Sequence, residues 1–383
     1  MGYLYWITAI MFFGLVGSRS IWLFSVLILL PFCTNNLHTL AKRLYSATPI
    51  IIILLWCFIS SFWSNWPSFT RVETFFQVLI FMTTLLISEL FNPKTIFTVL
   101  KNIAITCILV SFLSLLLAPS SALTAFVGVH GGKNAAGQFM AMSILLLFFI
   151  KNRPNTLSWV VVIGLVLLLL TRSGTAILMF SIVVPIGYFF LRASNSSLIL
   201  MHHFLTKIGY FVLLTLFIIT YNYHIELLDF IYNNLPEDAL TGRGNLWITM
   251  LQHVEEQVLI GFGYAAVWWH GDYSEVYFTD LALYSPEWID KLVGSDSGYV
   301  DLVLSIGLIG MFMFFTFLYK TFINLITIED KYHRAALLSL FFFLILSAIT
   351  ESVFLVPQLA PWFLLLLIFC MSLTKKEKTN YVC

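Results

Sequence analysis

Charge is what this sequence has least of. Only 10% of its 383 residues are Asp, Glu, Lys or Arg, against roughly 25% in an average soluble domain. Hydrophobic types make up 60% and aromatics 17%, and the mean hydropathy is +0.93. Too little polar surface remains to cover a water-soluble core, so a soluble globule is excluded, as are a disordered and a collagen-like chain. Cysteines are few: Cys33, Cys57, Cys107, Cys370 and Cys383 are scattered, mostly in apolar runs and without a C-x-x-C pair. Neither a disulfide framework nor a zinc site is expected. Walker and Rossmann glycine patterns are missing, and His202, His203, His253 and His270 lack a recognised ligand spacing. No cofactor, metal or nucleotide is expected, and an enzyme of this kind must draw on a lipid-borne donor. The net charge of +1 gives no sign of nucleic-acid binding. The N-terminal run MGYLYWITAIMFFGLVGSRS lacks a basic n-region and a small-residue cleavage site, and is expected to remain as a first span.

What the chain does have is apolar length. A membrane span needs about 20 mostly apolar residues. Suitable stretches lie near 3–17, 21–34, 48–63, 69–91, 95–117, 135–150, 157–171, 174–191, 206–222, 298–319, 335–351 and 355–373. Because several are short, the expectation is an all-α, polytopic integral membrane protein with about 10–12 transmembrane helices, one membrane domain over 1–383. Lys and Arg near span ends stay cytoplasmic. With both termini inside, fourteen bases fall on the cytoplasmic face, including Lys42, Arg43, Lys94, Lys151, Arg192 and Arg334. Six remain outside: Arg19, Arg71, Lys133, Arg172, Arg243 and Lys291.

The one long polar segment, 222–297, falls outside and carries twelve acids against the bases Arg243 and Lys291. A loop of that length is expected to have helices of its own and a function. Gly244 to Gln257 places Leu246, Met250 and Val254 on one helical face, with Gly242 as a start turn. Phe262, Tyr264, Trp268 and Trp269 suit anchors at the membrane interface.

Outer bases run against the orientation rule and are functional candidates for that reason. Arg172 follows four leucines in LLLLTRSGTA, Arg243 sits between glycines in LTGRGNLW, and Lys133 lies in VHGGKNAAGQ. Cations beside glycine-rich backbone suit a phosphate or diphosphate, Arg as a fork and Lys as a point charge. Each alone also fits a side chain snorkelling to the headgroups. Asp296, just before the span at 298–319, suits a proton acceptor or a helix cap. Glu73, Asp301 and Glu351 read as partners of basic residues.

Six short motifs occur in order: WSNWPSFTR (Trp63 to Arg71), HGGKNAAG (His130 to Gly137), TRSGTA (Thr171 to Ala176), GRGNLW with GFGY (Gly242 to Trp247, Gly261 to Tyr264), DSGYV with IGLIG (Asp296 to Val300, Ile306 to Gly310), and TES (Thr350 to Ser352). This series resembles the O-antigen ligase and Wzy-type polysaccharide polymerase superfamily, especially its exopolysaccharide polymerase branch. The resemblance implies a metal-independent, inverting glycosyltransferase of the bacterial inner membrane. It would move a glycan from undecaprenyl pyrophosphate to an acceptor glycan or lipid, among membrane lipids and alongside a chain-length regulator. It implies catalytic roles for Arg172, Arg243 and Asp296, and substrate binding by Lys133, Asn134, Arg71, Trp247 and Tyr264. The family usually has His where this chain has Asp296. Polymerisation is the first reading; a ligase acting on lipid A core or protein, and a flippase for lipid-linked oligosaccharide, are the alternatives. Internal repeats typical of transporters are not found.

Overall fold

The computed structural model describes residues 2–12, 20–119, 125–234, 243–268, 270–281, 286–289 and 292–373. Arg19, Gly242, Trp269, Lys291 and the C-terminal residues from 374 lie outside them. The described residues are helical, without strands. The main helices are α1 (Gly2–Phe12), α2 (Ser20–Leu29), α3 (Leu37–Ser46), α4 (Thr48–Ile59), α5 (Pro67–Leu90), α6 (Pro93–Leu117), α7 (Lys133–Phe148), α8 (Asn155–Leu170), α9 (Gly174–Arg192), α10 (Asn195–Asn234), α11 (Arg243–His253), α12 (Gly298–Ile326), α13 (Lys331–Ser347) and α14 (Ala360–Ser372).

Local sequence sets several of these limits. Asn92 caps α6 by accepting from the Thr95 N–H at 2.8 Å, with Pro93 in the first turn, where its missing N–H costs nothing. Asp330 does the same for α13, accepting from the Tyr332 and His333 N–H groups.

Each of the twelve apolar stretches holds a helix. By length and composition five of these suffice to cross a bilayer: α5, α6, α9, the Ser196–Glu226 part of α10, and α12. A sixth comes from α3 and the helical run Thr48–Phe62, which meet at 73°. Helices such as α7 and α8 have 16 residues each and reach across only with their neighbours. The span expected at 206–222 is part of a 40-residue helix that departs from helical geometry at Tyr223. The polar segment expected from 222 therefore begins as helix, up to Asn234. α10 is almost entirely exposed, as suits a helix surrounded by lipid. Elsewhere α9 packs on α13, α7 between α6 and α8, α2 and α14 on α5, and α4 on α12.

α12 is broken at Gly307, whose backbone sits at φ 68°, ψ −177°. The outer segment fills the break. Phe262 N–H donates to Leu304 O at 2.8 Å and Gly263 N–H to Ser305 O at 3.0 Å, while Leu308 and Ile309 N–H groups donate to Val258 and Leu259 O. Trp56 Nε1 satisfies Ile306 O at 2.9 Å, and Trp63 Nε1 holds Gly261 O at 3.0 Å. Non-helical backbone at membrane depth is tolerated only where protein satisfies it in this way. The approach requires glycine on both sides: a Cβ on Gly307 would lie 2.3 Å from the Leu259 carbonyl, and one on Gly261 2.7 Å from Leu304 O.

The same insertion corrects the interface-anchor expectation. Phe262, Tyr264 and Trp268 are all buried, because their segment turns into the bundle. The helix expected from Gly244 is α11, and its predicted face of Leu246, Met250 and Val254 is buried in a second core with Val258, Phe262, Val267 and Trp268.

Candidate active site

The starts of α7, α9 and α12 and the first residue of α11 meet at one end of the bundle, against the connection from α13 to α14. Arg243, at the head of α11, is the hub. Its Nε donates to Asp296 Oδ2 at 3.1 Å and its Nη1 to the Thr350 carbonyl at 3.0 Å. Thr350 Oγ1 donates to Thr175 Oγ1 in the first turn of α9 at 3.2 Å. Ser173, the residue before α9, donates through Oγ to Asn134 Oδ1 on α7 at 3.3 Å. A further hydrogen bond joins Asn134 to Glu351. α7 and α9 approach closely here because position 137 is glycine; a Cβ there would lie 2.8 Å from those of Ser173 and Ala176.

Two residues of the site are held in left-handed backbone. Arg172 has φ 52° and Asp296 φ 56°. Asp tolerates that region; for Arg it is uncommon. The cause is the tight turn between α8 and α9, and Arg172 is exposed there, next to Ser173. Asp296 does not cap α12. Ser297 takes that place, its hydroxyl accepting from the Val300 N–H, which leaves the Asp296 carboxylate to Arg243. Lys133, first residue of α7, is exposed. Unpaired N–H groups and the helix dipole make such helix starts favourable to anions.

Glu351 lies in the middle of this arrangement. Its carbonyl accepts from the Gly298 N–H at 3.1 Å, alongside Ala348 O. Burial pushes its carboxyl up to about 7, with Asp296 adding to the rise and Arg243 and Asn134 opposing it. Asp301, one turn into α12, accepts from Trp268 Nε1 and the Ser295 N–H, both at 3.0 Å. His130, beside Lys133, is pushed down to about 4 by burial and stacks on Phe139 at 4.4 Å, so it is a neutral packing group at physiological pH.

The remaining sequence candidates make no hydrogen bond to Arg243 among the described residues. Trp247 is half-buried, its Nε1 donating to Ser295 O at 2.7 Å, next to Asp296. Tyr264 is buried beneath the site, its hydroxyl donating to Leu355 O at 2.7 Å and accepting from Gln77. Arg71 is exposed on α5 and donates to Ser61 Oγ at 3.3 Å; among the described residues no hydrogen bond or ion pair joins it to the Arg243 network.

Residues 159–315 match the family model described as O-Antigen ligase. Over that stretch the chain is similar to O-antigen ligases. No curated protein matches the chain. The matched stretch contains Arg172, Arg243, Trp247, Tyr264 and Asp296. Lys133, Asn134, Thr350 and Glu351 lie outside it and join it only through the contacts just described. The similarity supports a ligase or polymerase kind of glycosyl transfer on a lipid-linked glycan, and with the apolar helices it supports a multi-pass protein of the bacterial inner membrane. In the sequence Glu351 reads only as a partner for a base, and Ser173, Thr175 and Thr350 occur within motifs without a role of their own. The available signal was the TES motif and a carboxylate at the end of an apolar run.

Proposed function

We propose that this O-antigen ligase-like protein is a polysaccharide polymerase: it transfers glycan repeat units from undecaprenyl pyrophosphate to an acceptor sugar on another lipid-linked unit, at the outer face of the inner membrane, with both termini cytoplasmic. One observation carries the reading. Arg243, bridged to an acid and a carbonyl, stands where three helix starts converge, with Arg172 and Lys133 exposed nearby. That is a place built for two adjacent phosphates.

The chemistry follows from the leaving group. As the bond from the anomeric carbon to the diphosphate breaks, negative charge grows on the departing oxygen, and fixed positive groups there lower the barrier most. Arg243 offers a bidentate fork once the diphosphate displaces Asp296. Arg172 and Lys133 add charge at the rim, and the amide groups at the helix starts add aligned donors. Asn134, Arg71, Trp247 and Tyr264 belong to the glycan side of this proposal, Tyr264 acting through the loop it supports. Metal is not required in the proposed step, and displacement by the acceptor hydroxyl inverts the anomeric centre. Membrane lipids and a chain-length regulator are the further partners proposed.

Purified protein is incubated with lipid-linked repeat units and a chelator, without nucleotide. A ladder of products is the expected result. Transfer only to added lipid A core or protein makes the enzyme a ligase, and absence of any product revives the flippase alternative.

A further inference from the structure

Resting on that reading, the geometry leaves the proton of the attacking hydroxyl without a destination at Asp296. The Asp296 carboxylate is paired with Arg243 and half-exposed, at 49% against 20% for the arginine side chain. Its Oδ2 already accepts from the Arg243 Nε, so the carboxylate is engaged in holding the guanidinium. Glu351 is differently placed. Its backbone is fixed by the Gly298 N–H, and the residue before it holds Arg243 through the Thr350 carbonyl. Its side chain bonds Asn134, yet Oε1 is buried and takes no hydrogen bond from any described residue. A buried acceptor atom without a donor is unusual in a folded protein. Here it belongs to the residue that follows the Thr350 carbonyl holding Arg243.

We propose that Glu351 is the proton acceptor for the attacking hydroxyl, and that Asp296 holds Arg243 in register until the diphosphate takes the guanidinium. In the step, the hydroxyl oxygen forms a bond to the anomeric carbon while the bond from that carbon to the diphosphate breaks. The electron pair of the broken bond stays on the diphosphate, and the hydroxyl proton passes to Glu351 Oε1. Release of that proton to water restores the carboxylate.

The surroundings of Glu351 set its titration. Arg243 on α11 favours its charged form, Asp296 ahead of α12 opposes it, and burial outweighs both, bringing the carboxyl to about 7. Asp301 lies behind the neighbouring Ser352, and Lys133 and Arg172 are exposed at the rim. A base whose pKa lies near the working pH combines adequate ionised fraction with useful driving force. Since the ionised form is the active one, turnover is full above about 7 and falls as pH drops below it.

The test measures glycan product from lipid-linked repeat units between pH 5 and 9, with donor KM and turnover determined separately. Wild type is expected to show an acidic limb of about tenfold per pH unit below the Glu351 value. Glu351→Gln is expected to lower turnover by about 10²- to 10⁴-fold, to abolish that limb and to leave donor KM nearly unchanged. Glu351→Asp restores part of the rate together with the limb. Asp296→Asn keeps the limb and raises donor KM. If Glu351→Gln keeps both the limb and wild-type turnover, or if the limb vanishes only in Asp296→Asn, the assignment is overturned while the glycosyl-transfer reading stands. Absence of product from wild type at every pH overturns both. Glu351→Gln that is inactive with a lost donor affinity, and unrescued by Glu351→Asp, marks a structural role and overturns the assignment.

Discussion

Arg243 and Arg172 do different things to the same charge. Arg243 is held on two sides before any ligand arrives, by Asp296 and the Thr350 carbonyl, so little ordering remains when it meets a diphosphate. Arg172 sits in left-handed backbone and is exposed, so in the proposed mechanism it would meet the ligand from solvent. Arg243→Ala and Arg172→Ala are each expected to cut turnover by about 10²- to 10³-fold, the cost of losing one preorganised donor in a transition-state anion site. On a glycan gel, long chains disappear and single repeat units accumulate on the carrier lipid. Wild-type chain lengths in both variants would remove the mechanism. Both arginines, whose roles belong to the proposed mechanism, were singled out in the sequence because a base on an acidic outer face needs a reason. Glu351 was not. A lone carboxylate after an apolar run carries no hint that Gly298, Asn134 and Arg243, from three distant helices, enclose it.

The broken helix α12 is the element on which the site depends, since Asp296 and the capping Ser297 lead into it on one side of Gly307 while the longer remainder lies on the other. Two glycine motifs that read as separate signals, GFGY and IGLIG, are halves of one contact: Phe262 and Gly263 complete the hydrogen bonds that Leu304 and Ser305 lose at the break. The helices themselves were legible from apolar length, as was the buried face of α11 from its spacing. The pairing was not, because nothing in local composition relates Val258 to Leu308. Its consequence is specific. Gly307 has backbone angles close to glycine-only territory, and a methyl group there would meet the Leu259 carbonyl at 2.3 Å. Gly307→Ala is therefore expected to destabilise the protein by about 2–4 kcal/mol. A fall in apparent melting temperature in detergent, with loss of product even at low temperature, checks it. An unchanged melting temperature would mean that the break is not needed for folding.

On the scale of the whole molecule, the near-neutral sum conceals opposite faces. The expected cytoplasmic end holds Arg43 paired with Glu89 at 2.6 Å, with Arg334 buried against the Ile328 and Phe190 carbonyls, while the other end gathers Arg243, Asp296 and Glu351. Which end faces the cytoplasm decides the chemistry, because a diphosphate site on the inner face would meet soluble sugar nucleotides instead of lipid-linked glycan. The bias of Lys and Arg argues for the outside, and thiol labelling tests it directly. The native Cys33, Cys57, Cys107 and Cys370 are buried and free, so with Cys383→Ser the background is low. Tyr273, exposed beside Trp66 at the site end, and Lys151, exposed after α7 at the opposite end, are each changed to Cys. In intact spheroplasts a membrane-impermeant maleimide is expected to label Tyr273→Cys at once and Lys151→Cys only after permeabilisation. The reverse pattern would place Arg243 in the cytoplasm, and the lipid-linked donor would have to be abandoned along with the orientation.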